Sequence, residues 1–163
     1  MSRSNDAPRV SVIVCTYNRA NSLKDTLDAL AKQEVRDGCS MELVVVDNHS
    51  TDETRHVVMA AAQASRWPIR YLFEGRLGKS HALNHGVLEA QAPWLLFTDD
   101  DVIPEPSWAQ ALYDAGSAYH ADCVGGRILP LWSKQPPAWL EGQQRLMESL
   151  ALLDGGPEPV MDG

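Results

Sequence analysis

Residues 9–19 read R-V-S-V-I-V-C-T-Y-N-R, a nearly continuous β-branched and apolar run that turns polar within one position. Such a run suits a strand covered on both faces, as in a parallel sheet, because a half-solvated strand would alternate apolar with polar. The same design recurs. Residues 42–46 read E-L-V-V-V and stop at Asp47-Asn48, residues 69–73 read I-R-Y-L-F, and residues 94–98 read W-L-L-F-T and stop at Asp99-Asp100-Asp101. Segments of helical spacing lie between and after them. Leu23, Leu27, Leu30 and Ala31 form one apolar face, Val57, Val58, Ala61 and Ala62 a second, Ala82, Leu83, Val87 and Ala90 a third, and Trp108, Ala111, Leu112 and Ala115 a fourth. Strands alternating with helices predict βαβ units. The fold class is therefore α/β, a three-layer α/β/α sandwich around a mostly parallel, Rossmann-like sheet.

Local signals set the expected boundaries. Asn21 is placed to cap the first helix, and Ser50 with Glu53 has the S-x-x-E spacing of a capping box. A turn from Gly75 to Gly78 leads into a helix over 80–90, and residues 122–129 read as a fifth extended segment. Residues 1–9 are expected to be a flexible leader and 10–130 the main domain. Residues 131–163 begin with a stiff connector bearing Trp132, Pro136, Pro137 and Trp139, and continue as a helix over 139–153 whose apolar face would favour self-association.

The 163 residues are 44% hydrophobic and 22% charged, enough for one sizeable core. Apolar runs fall far short of the roughly 20 residues that cross a membrane, and the polar start has no apolar signal region. Cys15, Cys39 and Cys123 match neither a disulfide framework nor a zinc pattern. These features predict a cytoplasmic protein, free in solution or peripheral to the inner face of a membrane. The net charge of −8, from 22 acidic against 14 basic residues, argues against nucleic acid as a partner. An acidic protein still binds an anion where a divalent cation stands between them.

In an open parallel sheet the loops at the carboxyl ends of the strands meet in one crevice, where ligands bind. The polar clusters that end the runs therefore belong together: Thr16, Tyr17, Asn18 and Arg19; Asp47 and Asn48; and the aspartate triplet. Alternation along an extended backbone would turn Asp99 and Asp101 one way and Asp100 the other. Two carboxylates held close suit a hard cation such as Mg²⁺ or Mn²⁺ that also bridges to phosphate. The other reading of the triplet is a solvated acidic turn favouring the next helix dipole. Asp47 stands where a dinucleotide fold places its ribose carboxylate, or is a turn residue before a helix. No G-x-G-x-x-G follows the first strand, so a nicotinamide or flavin enzyme is disfavoured. Lys79 after Gly78 resembles half of a phosphate loop, but position 73 is Phe where that loop needs Gly. Lys79 alone could be a surface lysine. His49, His81, His85 and His120 show no metal or triad spacing, and no G-x-S-x-G is present.

Taken together, V-S-V-I-V-C-T-Y-N-R, V-V-V-D-N-H-S-T-D-E-T, G-K-S-H-A-L-N-H-G and L-L-F-T-D-D-D-V-I-P resemble, in order and spacing, the nucleotide-sugar half of family 2 glycosyltransferases with the GT-A fold. The resemblance covers residues 10–110. It implies transfer of a sugar, with inversion, from a nucleoside diphosphate sugar, here a UDP- or dTDP-sugar, to a saccharide, lipid-linked or other hydroxyl acceptor. It implies that Thr16, Tyr17, Asn18 and Arg19 wrap the base and ribose, that Asp47 bonds the base, and that Lys79 lies against the nucleotide. It also places Asp99 near the ribose and metal, has Asp101 ligate the metal, and sets Asp100 beside the cofactor. The family's general base usually sits in a later Glu-Asp segment of the acceptor-binding half. Glu141, Glu148, Asp154, Glu158 and Asp162 include no such pair, so the general base is expected beyond Gly163 and residues 131–163 are expected to start an incomplete acceptor-side region. Donor and metal binding are then expected of this chain more than complete turnover. The competing expectations are a non-catalytic nucleotide-binding module and a metal-dependent phosphohydrolase. The latter would need an aspartate where Thr16 stands.

Overall fold

Each of the four apolar runs becomes a strand, β1 (Val10–Thr16), β2 (Met41–Asp47), β3 (Ile69–Phe73) and β4 (Trp94–Thr98). The structure, a computed structural model, describes residues 7–36, 38–132, 135, 137–140 and 143. Helices α1 (Ala20–Ala31), α2 (Thr54–Ala64), α3 (Lys79–Glu89) and α4 (Trp108–Tyr119) follow the strands in turn, and Ala138–Leu140 forms a short 3-10 turn. The strands lie in the order β3-β2-β1-β4, all parallel. Thr16 sits beside Asp47, Asp47 beside Phe73, and Val14 beside Thr98, so the polar strand ends emerge along one edge.

The layer arrangement follows from chain direction. From β1 to β3 the chain steps one way across the sheet; from β3 to β4 it must return past β2 and β1. Right-handed crossovers then require α1 and α2 on one face and α3 on the other. Leu23, Leu27 and Leu30 of α1 and Val58 of α2 pack on Val10, Val12, Val14, Leu43 and Val45, and Ala109 of α4 joins them. Ala82 of α3 packs on Ile13, Val44 and Val46 across the sheet. Full burial of each α1 leucine is worth about 1.5–3 kcal/mol. Gln33, fully buried, ties α1 to α4: its Nε2 donates to the Glu105 carbonyl at 2.7 Å and its Oε1 accepts the Ala109 N–H at 2.9 Å.

Several local expectations are corrected. Helix α1 starts at Ala20, one residue before Asn21, and the Ala20 N–H is capped from a distance by Asp52 Oδ2 at 3.0 Å. The capping box does not form. Ser50 Oγ instead accepts the Asn18 N–H at 2.9 Å, and Asp52 Oδ1 starts α2 by accepting from the Thr54 N–H at 3.1 Å and the Thr54 hydroxyl at 2.5 Å. On α3 the buried positions are Ala82 and Gly86, while Val87 is exposed, because Gly86 lets the helix backbone close onto Ile13. On α4 they are Ala109, Gln110 and Gly116, whereas Ala111 is exposed. Residues 122–129 add no strand and contribute one isolated bridge at Ile128. Of the expected leader, residues 7–9 are described. The Arg9 N–H donates to the Ser40 carbonyl at 2.8 Å, and the Ala7 carbonyl accepts from Ser40 Oγ at 3.1 Å. Of the expected helix over 139–153, residues 139, 140 and 143 are described, the first two within the 3-10 turn, and the rest lies outside the described residues. No helix among the described residues is long and apolar enough to cross a membrane.

Candidate functional site

The strand order reverses direction beside β1, and at that switch point the loops after β1 and β4 part and leave a crevice. An open pocket of about 580 Å³ occupies it, lined by Cys15, Thr16, Tyr17, Arg19, Asn48, Leu77, Gly78, Lys79, Ala82, Asp99, Asp100 and Asp101. Sequence positions up to 86 residues apart converge there, the strand ends through the parallel register and Leu77, Gly78 and Lys79 through the link from β3 to α3.

The three carboxylates take separate partners. Asp100 is buried and accepts the Thr16 hydroxyl proton at 2.7 Å. Asp99 accepts from Lys79 Nζ at 2.5 Å. Asp101 accepts from Arg19 Nη1 at 2.5 Å, and the same nitrogen lies 3.5 Å from Asp100 Oδ1. Asp99 and Asp101 both line the pocket but take different cations, and the two-residue alternation does not extend through the triplet because β4 ends at Thr98 and Asp100-Asp101 forms a turn. Each cation is held in its charged form: the hydrogen bond to Asp101 pushes the Arg19 pKa up, and that to Asp99 does the same for Lys79. Burial pushes the Cys15 thiol up to about 11, which removes it as a thiolate nucleophile near neutral pH.

Tyr17, half exposed, lies on the pocket lip. Asn18 sits outside it, in a neighbouring hollow with Asp52 and Glu53. With φ at 51°, Asn18 uses its Oδ1 to accept the Thr51 N–H at 2.7 Å, stitching the loop after β1 to the loop after β2. Asp47 does not line the pocket. It shares the side of β2 that carries Leu43 and Val45, and its carboxylate accepts from the Tyr71 hydroxyl at 2.7 Å and the Ser50 N–H at 2.8 Å. Burial and that bond push the Tyr71 phenol up to about 12. The next residue, Asn48, lines the pocket, as does Cys15 one position before Thr16. Asn48 belongs to the polar pair that ends the second run, whereas nothing in the sequence assigns Cys15 to the site. Counting alternate residues from the buried Leu43 sets Asp47 and Asn48 on opposite sides of the sheet. Gly163 and the later acids Glu141, Glu148, Asp154, Glu158 and Asp162 lie outside the described residues, and so does the position beyond Gly163 expected for the general base.

Two cations face three carboxylates in this pocket. A diphosphate entering it meets a surplus of negative charge unless a divalent cation accompanies it. Among the described residues, no three His, Cys, Asp or Glu side chains are placed to hold a metal among themselves. The donor set is nevertheless hard oxygen, which fits a cation such as Mg²⁺ that binds through one or two carboxylates and takes further ligands from phosphate.

Comparison with known proteins agrees with the geometry. The model of glycosyl transferase family 2 matches residues 11–148. A validoxylamine A glucosyltransferase of Streptomyces hygroscopicus subsp. jinggangensis is 40% identical over 110 residues, which is 66% of this chain and 25% of that protein. The chain thus spans about a quarter of that relative's length. Among solved structures, the mannosyltransferase PcManGT of Pyrobaculum calidifontis, in complex with GDP-Man and Mn²⁺, is 37% identical with a TM-score of 0.55, covering 63% of this chain and 30% of that one. S. aureus TarS 1-349 with UDP-GlcNAc is 27% identical with a TM-score of 0.60, over 79% of this chain and 37% of that one. The sheet and its flanking helices are those of the GT-A fold.

Proposed function

The chain belongs to glycosyl transferase family 2, and from that premise we propose that its crevice binds the nucleoside diphosphate of a sugar donor together with a divalent cation, Mg²⁺ or Mn²⁺. The sugar is then moved, with inversion, to an acceptor hydroxyl. The observation that carries this reading is the meeting of Arg19, Lys79 and the three aspartates in one pocket at the switch point of the sheet. The donor is a UDP- or dTDP-sugar in the first instance, and the GDP-Man complex of PcManGT puts guanine in the test set. The acceptor is a saccharide, a lipid-linked sugar or another hydroxyl compound. Three unpaired cysteines accord with a reducing compartment, the cytoplasm.

Asp99 and Asp101 would hold the cation, which when bound supplies the positive charge that stabilises a diphosphate leaving group. With Asp99 and Asp101 so engaged, Lys79 and Arg19 would be free to turn from aspartate to phosphate. Asp100 keeps its bond to Thr16 and holds the loops after β1 and β4 together. Tyr17 offers an aromatic face at the lip, against which a base can stack. Deprotonation of the acceptor needs a general base on the opposite side of the sugar, and none of the pocket residues is assigned to it.

Titration calorimetry of the full chain with UDP, dTDP and GDP tests the reading. Binding of at least one of them with Mn²⁺ or Mg²⁺, weakened at least about tenfold by EDTA, is the expected result. Equal affinity with and without the cation would overturn the cation-bridged site, and no binding of any nucleotide would overturn the donor assignment.

A further inference from the structure

The link from β3 to α3 must cross the carboxyl edge of the sheet, since β3 and β4 lie at opposite edges with β2 and β1 between them. Residues 74–78 make that crossing, and Asn48, one residue beyond β2, stands under it. Its Nδ2 donates to the Arg76 carbonyl at 2.7 Å and the Glu74 carbonyl at 3.2 Å, and its Oδ1 accepts the Gly78 N–H at 2.8 Å. The Asn48 backbone N–H donates to the Thr16 carbonyl at 2.9 Å, which roots the residue on the central strand. With 6% of its surface exposed, Asn48 spends both amide protons and its oxygen on one loop. An aspartate there would set negative charge against two carbonyl oxygens.

Where the clamp ends, the site begins. Gly78 has φ at 130°, a conformation that side chains disfavour, and it leads directly into α3. The next residue is Lys79, with its Nζ 2.5 Å from Asp99. The position of this lysine therefore depends on where the crossover is tied down. We propose that Asn48 is a positioning residue: it fixes the 74–78 crossover so that the first turn of α3 and Lys79 stand against the anionic part of the donor. This inference rests on the nucleotide-binding reading above. It assigns Asn48 an action through Lys79 and no contact with the reacting atoms.

The test uses Asn48→Asp, which keeps the size and removes the two donors, in the full chain. Hydrogen exchange of the ligand-free protein is expected to show the amides of 76–79 at least about tenfold faster than in the wild type. UDP or GDP affinity in the presence of Mn²⁺ is expected to fall about 10- to 100-fold. In a Lys79→Ala background the same substitution is expected to change affinity by no more than about twofold, because the group it positions is gone. Unchanged exchange at 76–79 would overturn the clamp. A full-sized affinity loss in the Lys79→Ala background would overturn the positioning role and mark a direct ligand contact. If the wild type binds neither nucleotide, the donor reading falls and the positioning role falls with it, while the exchange data still decide the clamp. Should Asn48→Asp not fold, Asn48→Ser is read in the same assays against the same outcomes.

Discussion

The hydrogen bond from the Thr16 hydroxyl to Asp100 Oδ2, at 2.7 Å, closes the seam between the loops after β1 and β4. Both groups are buried. Removing the carboxylate leaves the hydroxyl without its acceptor, a loss worth about 1–3 kcal/mol. Asp101 is half exposed and its ion pair with Arg19 is solvated, so its removal costs well under about 1 kcal/mol. Urea denaturation should therefore show Asp100→Ala clearly destabilised and Asp101→Ala near the wild type, while cation-dependent nucleotide binding shows Asp101→Ala impaired. Equal stability losses would contradict the different burial of the two side chains. The triplet's place in the crevice was legible in the sequence because three acids abruptly end an apolar run. Its division of labour was not, since the turn at Asp100-Asp101 interrupts the alternation that assigned sides. Asp47 and Asn48 teach the complementary lesson. Asp47 ends β2 and Asn48 follows it, and this one-residue step turns the first towards Tyr71 and the second into the pocket.

At the level of the element, α3 is set by its closest approach to the sheet. A Cβ on Gly86 would stand 2.7 Å from Ile13 Cγ2 and 3.2 Å from Val46 Cγ2, both on fully buried side chains. Gly86→Ala should therefore cost about 1–3 kcal/mol in urea denaturation, the range for overpacking a close-packed interior. It should also weaken nucleotide binding, because a displaced α3 carries Lys79 with it; an unaffected stability would show that the helix backs away freely. The crossover before α3 has its own ion pair. Arg76 bonds to both oxygens of Glu74, at 2.9 Å each, and holds that carboxyl down at about 2 from its usual 4.5. A depressed pKa means a contribution fully present above about pH 4.5 and lost as the pH falls towards 2. The stability difference between wild type and Glu74→Gln, followed by thermal unfolding, should thus shrink progressively below about pH 4.5. A pH-independent difference would remove the ion pair from the account. Helix existence was legible from apolar spacing throughout, whereas the caps were not. Asp52 serves both α1 and α2, and one side chain bridging two elements leaves no local motif to read.

For the whole molecule, the decisive feature is a parallel sheet with unequal cover. The continuous apolar runs made the strands and the parallel class legible, because both faces of the central strands are buried. Strand order was not legible, since nothing local in β4 says that the chain has passed back over β2 and β1. That return creates the switch point and, with it, the pocket. It also makes β1 and β2 the interior pair, each hydrogen-bonded on both sides, and leaves β3 and β4 with a single strand neighbour apiece among the described residues. Every residue of β2 is buried, whereas Phe73 at the end of β3 and Phe97 on β4 are about half exposed. Opening of an edge strand breaks one ladder and exposes little core; opening of an interior strand breaks two ladders and the main cluster. Native-state hydrogen exchange should accordingly find the slowest amides at Val12–Val14 and Leu43–Val45, with those of Ile69–Leu72 and Trp94–Phe97 exchanging faster by local opening. Nucleotide with its cation should slow exchange in β4 more than in β3, because Asp99, Asp100 and Asp101 all follow β4 while no residue of β3 lines the pocket. Equal protection of β3 and β4 on ligand addition would place the ligand elsewhere on the sheet edge.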